Sequence, residues 1–111
     1  MSYDALGEFE QTVLLAIAHA GDRAYGVTIR QEIENRTGRD VTIGALYTSL
    51  ARLERKGYVR SSMSDPTPQR GGRAKRHFVV SAAGVGALRQ SRERLSRMWQ
   101  GLHPDLKRTR S

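Results

Sequence analysis

The chain has 111 residues, 38% of them hydrophobic, and a formal net charge of +8. That fits one domain, or one domain with an extension, and a core modest enough to make oligomerisation an expectation. There is no cysteine, which excludes disulfides, thiol catalysis and Cys-ligated zinc and fits a reducing cytoplasm.

The charge is unevenly placed. Residues 1–40 carry four Arg against seven acids, a net of −3, while 41–111 carry fifteen basic groups against four acids, a net of +11. A split of this kind gives the second half a positive field that favours a polyanion. Sixteen of the nineteen basic residues are Arg, whose planar fork suits phosphates and guanine edges. No apolar-faced, Lys-rich helix favours a membrane surface. The longest apolar run, 13–18, is too short to span one, and the first residues lack the basic region of a signal peptide.

In chain order, residues 8–20 read as a helix, with Phe9, Val13, Ala16, Ile17 and Ala20 recurring at three and four. Leu14 and Leu15 widen its apolar face, so substantial burial is expected. Gly21 and Asp22 make a turn, with Asp22 as a cap. A second helix is expected over 24–37, with Ile29 and Ile33 inward and Glu32, Glu34 and Arg36 solvated. Gly26 costs this helix roughly 1 kcal/mol relative to Ala; it either permits close packing or marks a weak first turn. Thr42 caps a third helix over 43–56. Leu46, Leu50 and Leu53 form its inner stripe, and Gly44, Thr48, Ala51, Arg52 and Arg55 fall towards the other side. Arg55 and Lys56 are favourable charges at its C-terminus, and Gly57 terminates it. Strands are expected over 58–63 and 76–80, the second with Phe78 and Val80 on one face. Pro66, Pro68, Gly71 and Gly72 make 64–75 a loop. Ser81 caps a last helix over 82–102. Leu88, Leu95 and Leu102 are seven apart within its stripe of Val85, Met98 and Trp99, a spacing that suits helix–helix contact. Residues 103–111 read as a flexible basic tail.

The architecture expected is mainly α with a two-stranded β wing, a winged helix-turn-helix over 1–80. The recognition helix is 43–56, the wing 64–75, and 81–102 the dimerisation helix. The run Arg70-Gly71-Gly72-Arg73-Ala74-Lys75-Arg76 holds four positive charges and no acid. Its place just behind the third helix fits a phosphate backbone beside a helix that enters a groove.

Four stretches resemble the PadR family of bacterial transcriptional regulators. They are residues 7–17; Ala24-Tyr25-Gly26-Val27; Gly44-Ala45-Leu46-Tyr47 through Leu53-Glu54 and Lys56-Gly57-Tyr58-Val59; and 71–78 followed by Ser81-Ala82-Ala83-Gly84 and Leu88. The resemblance implies a cytoplasmic homodimer on a pseudo-palindromic operator, usually a repressor, with the last helix and part of the first at the dimer contact. Some relatives release DNA on binding phenolic acids or planar drugs. The chain looks like the short subgroup with a single terminal helix, and it has Phe78 where the family usually has Tyr.

Thr42, Ala45, Thr48 and Arg52 are candidates for the DNA-facing side of the recognition helix. Short side chains permit close approach, and Arg52 suits a guanine edge or a phosphate. The bland alternative is a solvated surface with an N-cap. Tyr47 either sends its hydroxyl to a phosphate or is purely structural. Tyr25 either brings its hydroxyl and nearby amides to a phosphate or packs in the core. Arg70, Arg73, Lys75 and Arg76 are wing candidates, an Arg tip for a narrow minor groove and the basal pair for phosphate; the alternative is a hairpin kept soluble by charge. Phe9, Leu88, Leu95, Met98, Trp99 and Leu102 are assigned to the dimer contact. Trp99 is an interface anchor or the wall of an inter-subunit pocket for a small aromatic effector.

Enzyme readings fare poorly. His19, His77 and His103 are scattered, no spacing suggests a metal, and there is no nucleophile with a positioned base, so no cofactor is expected. The competing class is a winged-helix protein-interaction module with only non-specific DNA binding.

Overall fold

The computed structural model describes residues 4–64 and 75–108. Helix α1 (Glu8–Ala20) is followed by a short 3-10 turn (Gly21–Arg23), α2 (Gly26–Thr37) and α3 (Ile43–Arg55). Strands β1 (Val59–Met63) and β2 (Arg76–Val80) precede α4 (Ala82–Trp99). The strands form one antiparallel pair with Val59 opposite Val80, Ser61 opposite Phe78 and Met63 opposite Arg76. The protein is thus mainly α with a two-stranded β hairpin, the winged helix-turn-helix order expected. No helix among the described residues is long and apolar enough to cross a membrane.

One core joins the elements. Val13, Leu14 and Ile17 of α1 meet Ile29 and Ile33 of α2, the α3 stripe of Leu46, Leu50 and Leu53, and Val59 and Phe78 of the hairpin. Full burial of each Leu or Ile contributes about 2 kcal/mol relative to exposure. Leu15 departs from expectation: it is 50% exposed. At about 100° per residue Glu10, Val13, Leu14, Ala16 and Ile17 form one buried arc, and Leu15 lies opposite its centre.

Helix α2 begins later than the apolar pattern indicated. Ala24 is fully buried but lies outside the helix. Its carbonyl accepts the Phe78 N–H of β2 at 2.9 Å, so tertiary pairing takes the backbone group that a longer helix would use. Tyr25 is the N-cap, and its N–H donates to Thr28 Oγ1 at 2.9 Å. Asp22 does not cap α2; it belongs to the preceding 3-10 turn. The expected caps on the other helices are present. Thr42 Oγ1 accepts from Ala45 N–H, and Ser81 Oγ from Gly84 N–H, each at 3.1 Å.

The C-terminal end is corrected in two ways. Helix α4 stops at Trp99, because Gln100 leaves helical geometry and Gly101 takes φ 84°. Leu102 is therefore not on the helix that its seven-residue spacing implied. The tail expected to lack structure folds back over 102–108, with a bridge between Leu102 and Arg108 and a hydrogen bond from His103 N–H to Lys107 O at 2.8 Å.

The foot of α4 is fixed to the end of α3. Ser81 Oγ donates to Gly57 O at 2.6 Å and Ser81 N–H to Tyr58 O at 3.0 Å. Gly84 packs so closely that a Cβ there would lie 2.3 Å from Tyr58 O.

Lys56 does more than complement the α3 terminus. Its ammonium donates to both carboxylate oxygens of Glu10 at 2.9 and 3.2 Å, while Glu10 Oε1 also accepts the Gly7 N–H at 3.0 Å. Burial raises the Glu10 pKa, but the Gly7 N–H, Lys56 and the nearby Arg52 charge outweigh it, and the carboxyl ionises below its ordinary value. A carboxylate with a depressed folded pKa stabilises the native state at neutral pH and loses that contribution as pH falls through the carboxylate range. Glu10→Gln should therefore cost about 1 kcal/mol at neutral pH, and thermal melts should show the gap from wild type closing on acidification. A gap independent of pH would exclude the ion pair as its source.

Candidate nucleic-acid interface

Helix α3 presents three distinct sides. Leu46, Ser49, Leu50 and Leu53 are buried. Ala45, Thr48, Arg52 and Arg55 recur at three and four along another side, and all are exposed. Thr42 joins them as the exposed N-cap. Thr48 Oγ1 donates to Gly44 O at 2.9 Å, which uses its one proton and leaves the oxygen able to accept. Among the described residues Arg52 makes no ion pair within 4 Å. This outward row is small and uncharged at the N-terminal end of α3 and cationic at the other.

The third side carries Tyr47 and Glu54. Tyr47 packs edge-on against Phe78, ring centroids 6.3 Å apart, and remains 41% exposed. Its hydroxyl lies over the first residue of α2: a Cβ on Gly26 would sit 2.4 Å from Oη and 2.9 Å from Cζ. Of the two roles open for Gly26, close packing is the one observed. Glu54 accepts a short hydrogen bond from Ser61 Oγ, and Ser61 Oγ accepts from Arg76 Nη1 at 2.9 Å.

The start of α2 and the base of the hairpin form one patch. Tyr25 is half-buried, with Lys75 Nζ 5.1 Å from its ring centroid and the His77 ring edge-on at 5.6 Å. His77 Nε2 donates to Asp22 O at 3.0 Å. Lys75 and Arg76 are therefore brought beside α2 and α3. Arg70 and Arg73, with Gly71 and Gly72, lie outside the described residues.

The residues assigned to a dimer contact divide. Leu88, Leu95 and Trp99 of α4 line a groove of about 290 Å³ with Gln11 and Leu15 of α1. Met98 does not line it but is 74% exposed beside it, and Leu102 lies beyond the helix end. Phe9 is elsewhere: it packs on the core with the Arg39 guanidinium 4.7 Å above its ring. Leu15, Glu54 and Ser61 were missed on sequence. Glu54 had a signal, since seven residues place it two turns from Tyr47 on the same side. Among the described residues no group of three His, Asp or Glu could hold a metal.

The model described as the transcriptional regulator PadR-like family matches residues 13–90. Similar solved structures include a transcriptional regulator from Clostridium thermocellum, at 22% identity and TM-score 0.67, covering 82% of this chain and 85% of that one. A PadR family transcription regulator from Clostridium difficile R20291 has 22% identity and TM-score 0.66, over 81% and 90%. A complex structure of hsRosR-SG has 24% identity and TM-score 0.70, over 92% and 82%. No curated protein matches the chain.

The Gly26–Tyr47 contact makes a local prediction. Gly26→Ala should destabilise the protein by roughly 1–2 kcal/mol, since the outer end of the Tyr47 ring must shift to make room. In a Tyr47→Ala background the same substitution should be neutral or stabilising, because Ala is the better helix former. Equal costs in both backgrounds, measured by denaturant unfolding, would remove Tyr47 from the explanation.

Proposed function

As the chain belongs to the PadR-like family of transcriptional regulators, we propose that it is a sequence-specific DNA-binding repressor that acts as a homodimer on a pseudo-palindromic operator. The family is one of transcription regulators, not enzymes. The observation that carries the proposal is the outward row of α3. Thr42, Ala45, Thr48 and Arg52 are exposed beside a hairpin base that supplies Lys75 and Arg76. Small side chains at one end of the row let the helix sit deep in a major groove, and Arg52 reaches a guanine edge or a phosphate. Lys75 and Arg76, with Arg70 and Arg73 of the wing, hold the backbone and supply salt-dependent affinity. Tyr25, the N-cap of α2, and Tyr47, whose hydroxyl lies over Gly26, would meet a phosphate at the α2 N-terminus.

Two copies would join through α4, with Leu15 of α1 contributing. Leu95, Met98 and Trp99 are 62%, 74% and 46% exposed, an apolar surface that a second copy covers. Repression follows by occupancy where the operator overlaps a promoter. An aromatic effector, if the protein has one, would lie in the groove beside Trp99.

Selection of duplexes from a random pool, followed by footprinting, tests the reading. Two protected half-sites should appear, centred about 10 base pairs apart or at a multiple of that spacing. Binding blind to sequence would favour the protein-interaction module instead. Arg52→Ala should lower the ratio of selected to scrambled affinity by about tenfold. An unchanged ratio would exclude base reading by Arg52.

A further inference from the structure

Antiparallel pairing puts Val59, Ser61 and Met63 on the same face of the hairpin as Val80, Phe78 and Arg76. Toward α4 this face is core: Val59 and Phe78 are 1% and 2% exposed. Opposite Phe78 lies half-buried Ser61, and toward the loop are the exposed Met63 and Arg76. The side of α3 that carries Tyr47 and Glu54 borders this face, Tyr47 against Phe78 and Glu54 against Ser61. A three-member chain results. Arg76 Nη1 donates to Ser61 Oγ, and Ser61 Oγ donates to Glu54 Oε1. The Ser61 hydroxyl has one proton, and Glu54 takes it; a lone pair is what remains for Arg76.

We propose that Glu54 and Ser61 are positioning residues that hold the Arg76 guanidinium in place for a DNA phosphate beside the recognition helix. The proposal rests on the DNA-binding reading above. A guanidinium has five N–H donors, and one is committed to Ser61. A carboxylate in direct bidentate contact would occupy the fork and cancel its charge locally. Acting through a hydroxyl, Glu54 orients the group and leaves the rest of the fork open. The same chain ties the first residue of β2 to the last turn of α3, so the phosphate contact is registered to the helix that reads bases. Arg side chains lose much rotamer freedom on binding, and restraint before binding lowers that cost.

The test uses the full chain, its selected operator and a scrambled duplex across a salt series. Ser61→Ala changes no charge. It should weaken both duplexes about fivefold and reduce the slope of log affinity against log salt by about 0.9, the share of one phosphate. In an Arg76→Ala background it should have no further effect. Ser61→Thr keeps the hydroxyl and should keep the wild-type slope. Glu54→Ala and Glu54→Gln remove the same charge, but only Gln still accepts from Ser61, so Gln should bind DNA as tightly as wild type or more tightly and Ala should not. Thermal melts run beside each titration show that every variant compared is folded.

Several outcomes overturn the proposal while leaving DNA binding intact. One is a wild-type slope for Ser61→Ala when Arg76→Ala lowers it. Others are additive losses for the pair, equal affinities for the two Glu54 variants, or an unchanged slope for Arg76→Ala. A wild-type chain that binds no duplex would overturn both the DNA-binding reading and this one.

Discussion

Phe78 is the point on which the arrangement of the interface depends. Its side chain is 2% exposed, its N–H donates to Ala24 O, and its ring meets Tyr47 edge-on. One residue therefore touches the segment before α2, the third helix and the hairpin. An N–H bonded inside the protein is costly to strand, because a buried donor without a partner loses about 1–3 kcal/mol. The ring adds the apolar term of a fully buried aromatic. Both terms act in the same place, so the hairpin cannot slide along α3 without giving up both. The absence of a hydroxyl at 78 suits this site, where the ring lies within the core cluster.

The third helix then divides its circumference among three tasks. Leu46, Leu50 and Leu53 hold it to the core, Tyr47 and Glu54 connect it to α2 and the hairpin, and Thr48 and Arg52 are left outward. Its C-terminal end is secured from a fourth direction by the Lys56–Glu10 pair, which spans 46 positions of sequence. That pair is largely withdrawn from water, so it is screened less than the exposed pairs Arg30–Glu34 and Arg36–Glu32 on α2. Those surface pairs add only a few tenths of a kcal/mol each. Securing α3 from several sides fixes where its outward row lies, while the side-chain bonds of Thr42 and Thr48 stay within the helix itself.

Much of this was legible from local pattern. The Leu46-Leu50-Leu53 stripe follows helical spacing, Thr42 and Ser81 announce helix starts, and the glycine and proline content of 64–75 separates two strands. The family likeness of 7–17, 24–27, 44–59 and 71–88 pointed to the regulator class that the family match bears out. What stayed hidden was decided by distant chain. Ala24 stays out of α2 because β2 claims its carbonyl, and no local propensity records that. Lys56 looked like a helix-end charge because Glu10 is remote in sequence. Leu15 is the exception, since helical spacing alone puts it about 160° from both Val13 and Ile17. Leu102 fitted a seven-residue repeat, yet the helix ended at Trp99, three residues earlier. The roles of Arg70 and Arg73 belong to residues that the structure does not describe.

The joint at the foot of α4 bears on the arithmetic of an operator. Ser81 bonds to Gly57 and Tyr58, and Gly84 leaves no gap against the Tyr58 carbonyl. A hinge at this point would let two recognition helices adjust to half-sites set slightly nearer or farther apart. Two hydrogen bonds and a close backbone contact oppose such a hinge here. In a dimer built on α4, the distance and twist between the two reading heads are therefore inherited from each protomer's own backbone. One inserted base pair turns a half-site by about a tenth of a helical turn, and a stiff joint cannot follow it. In such a dimer spacing would become part of what is read, set by one serine and one glycine at the foot of α4.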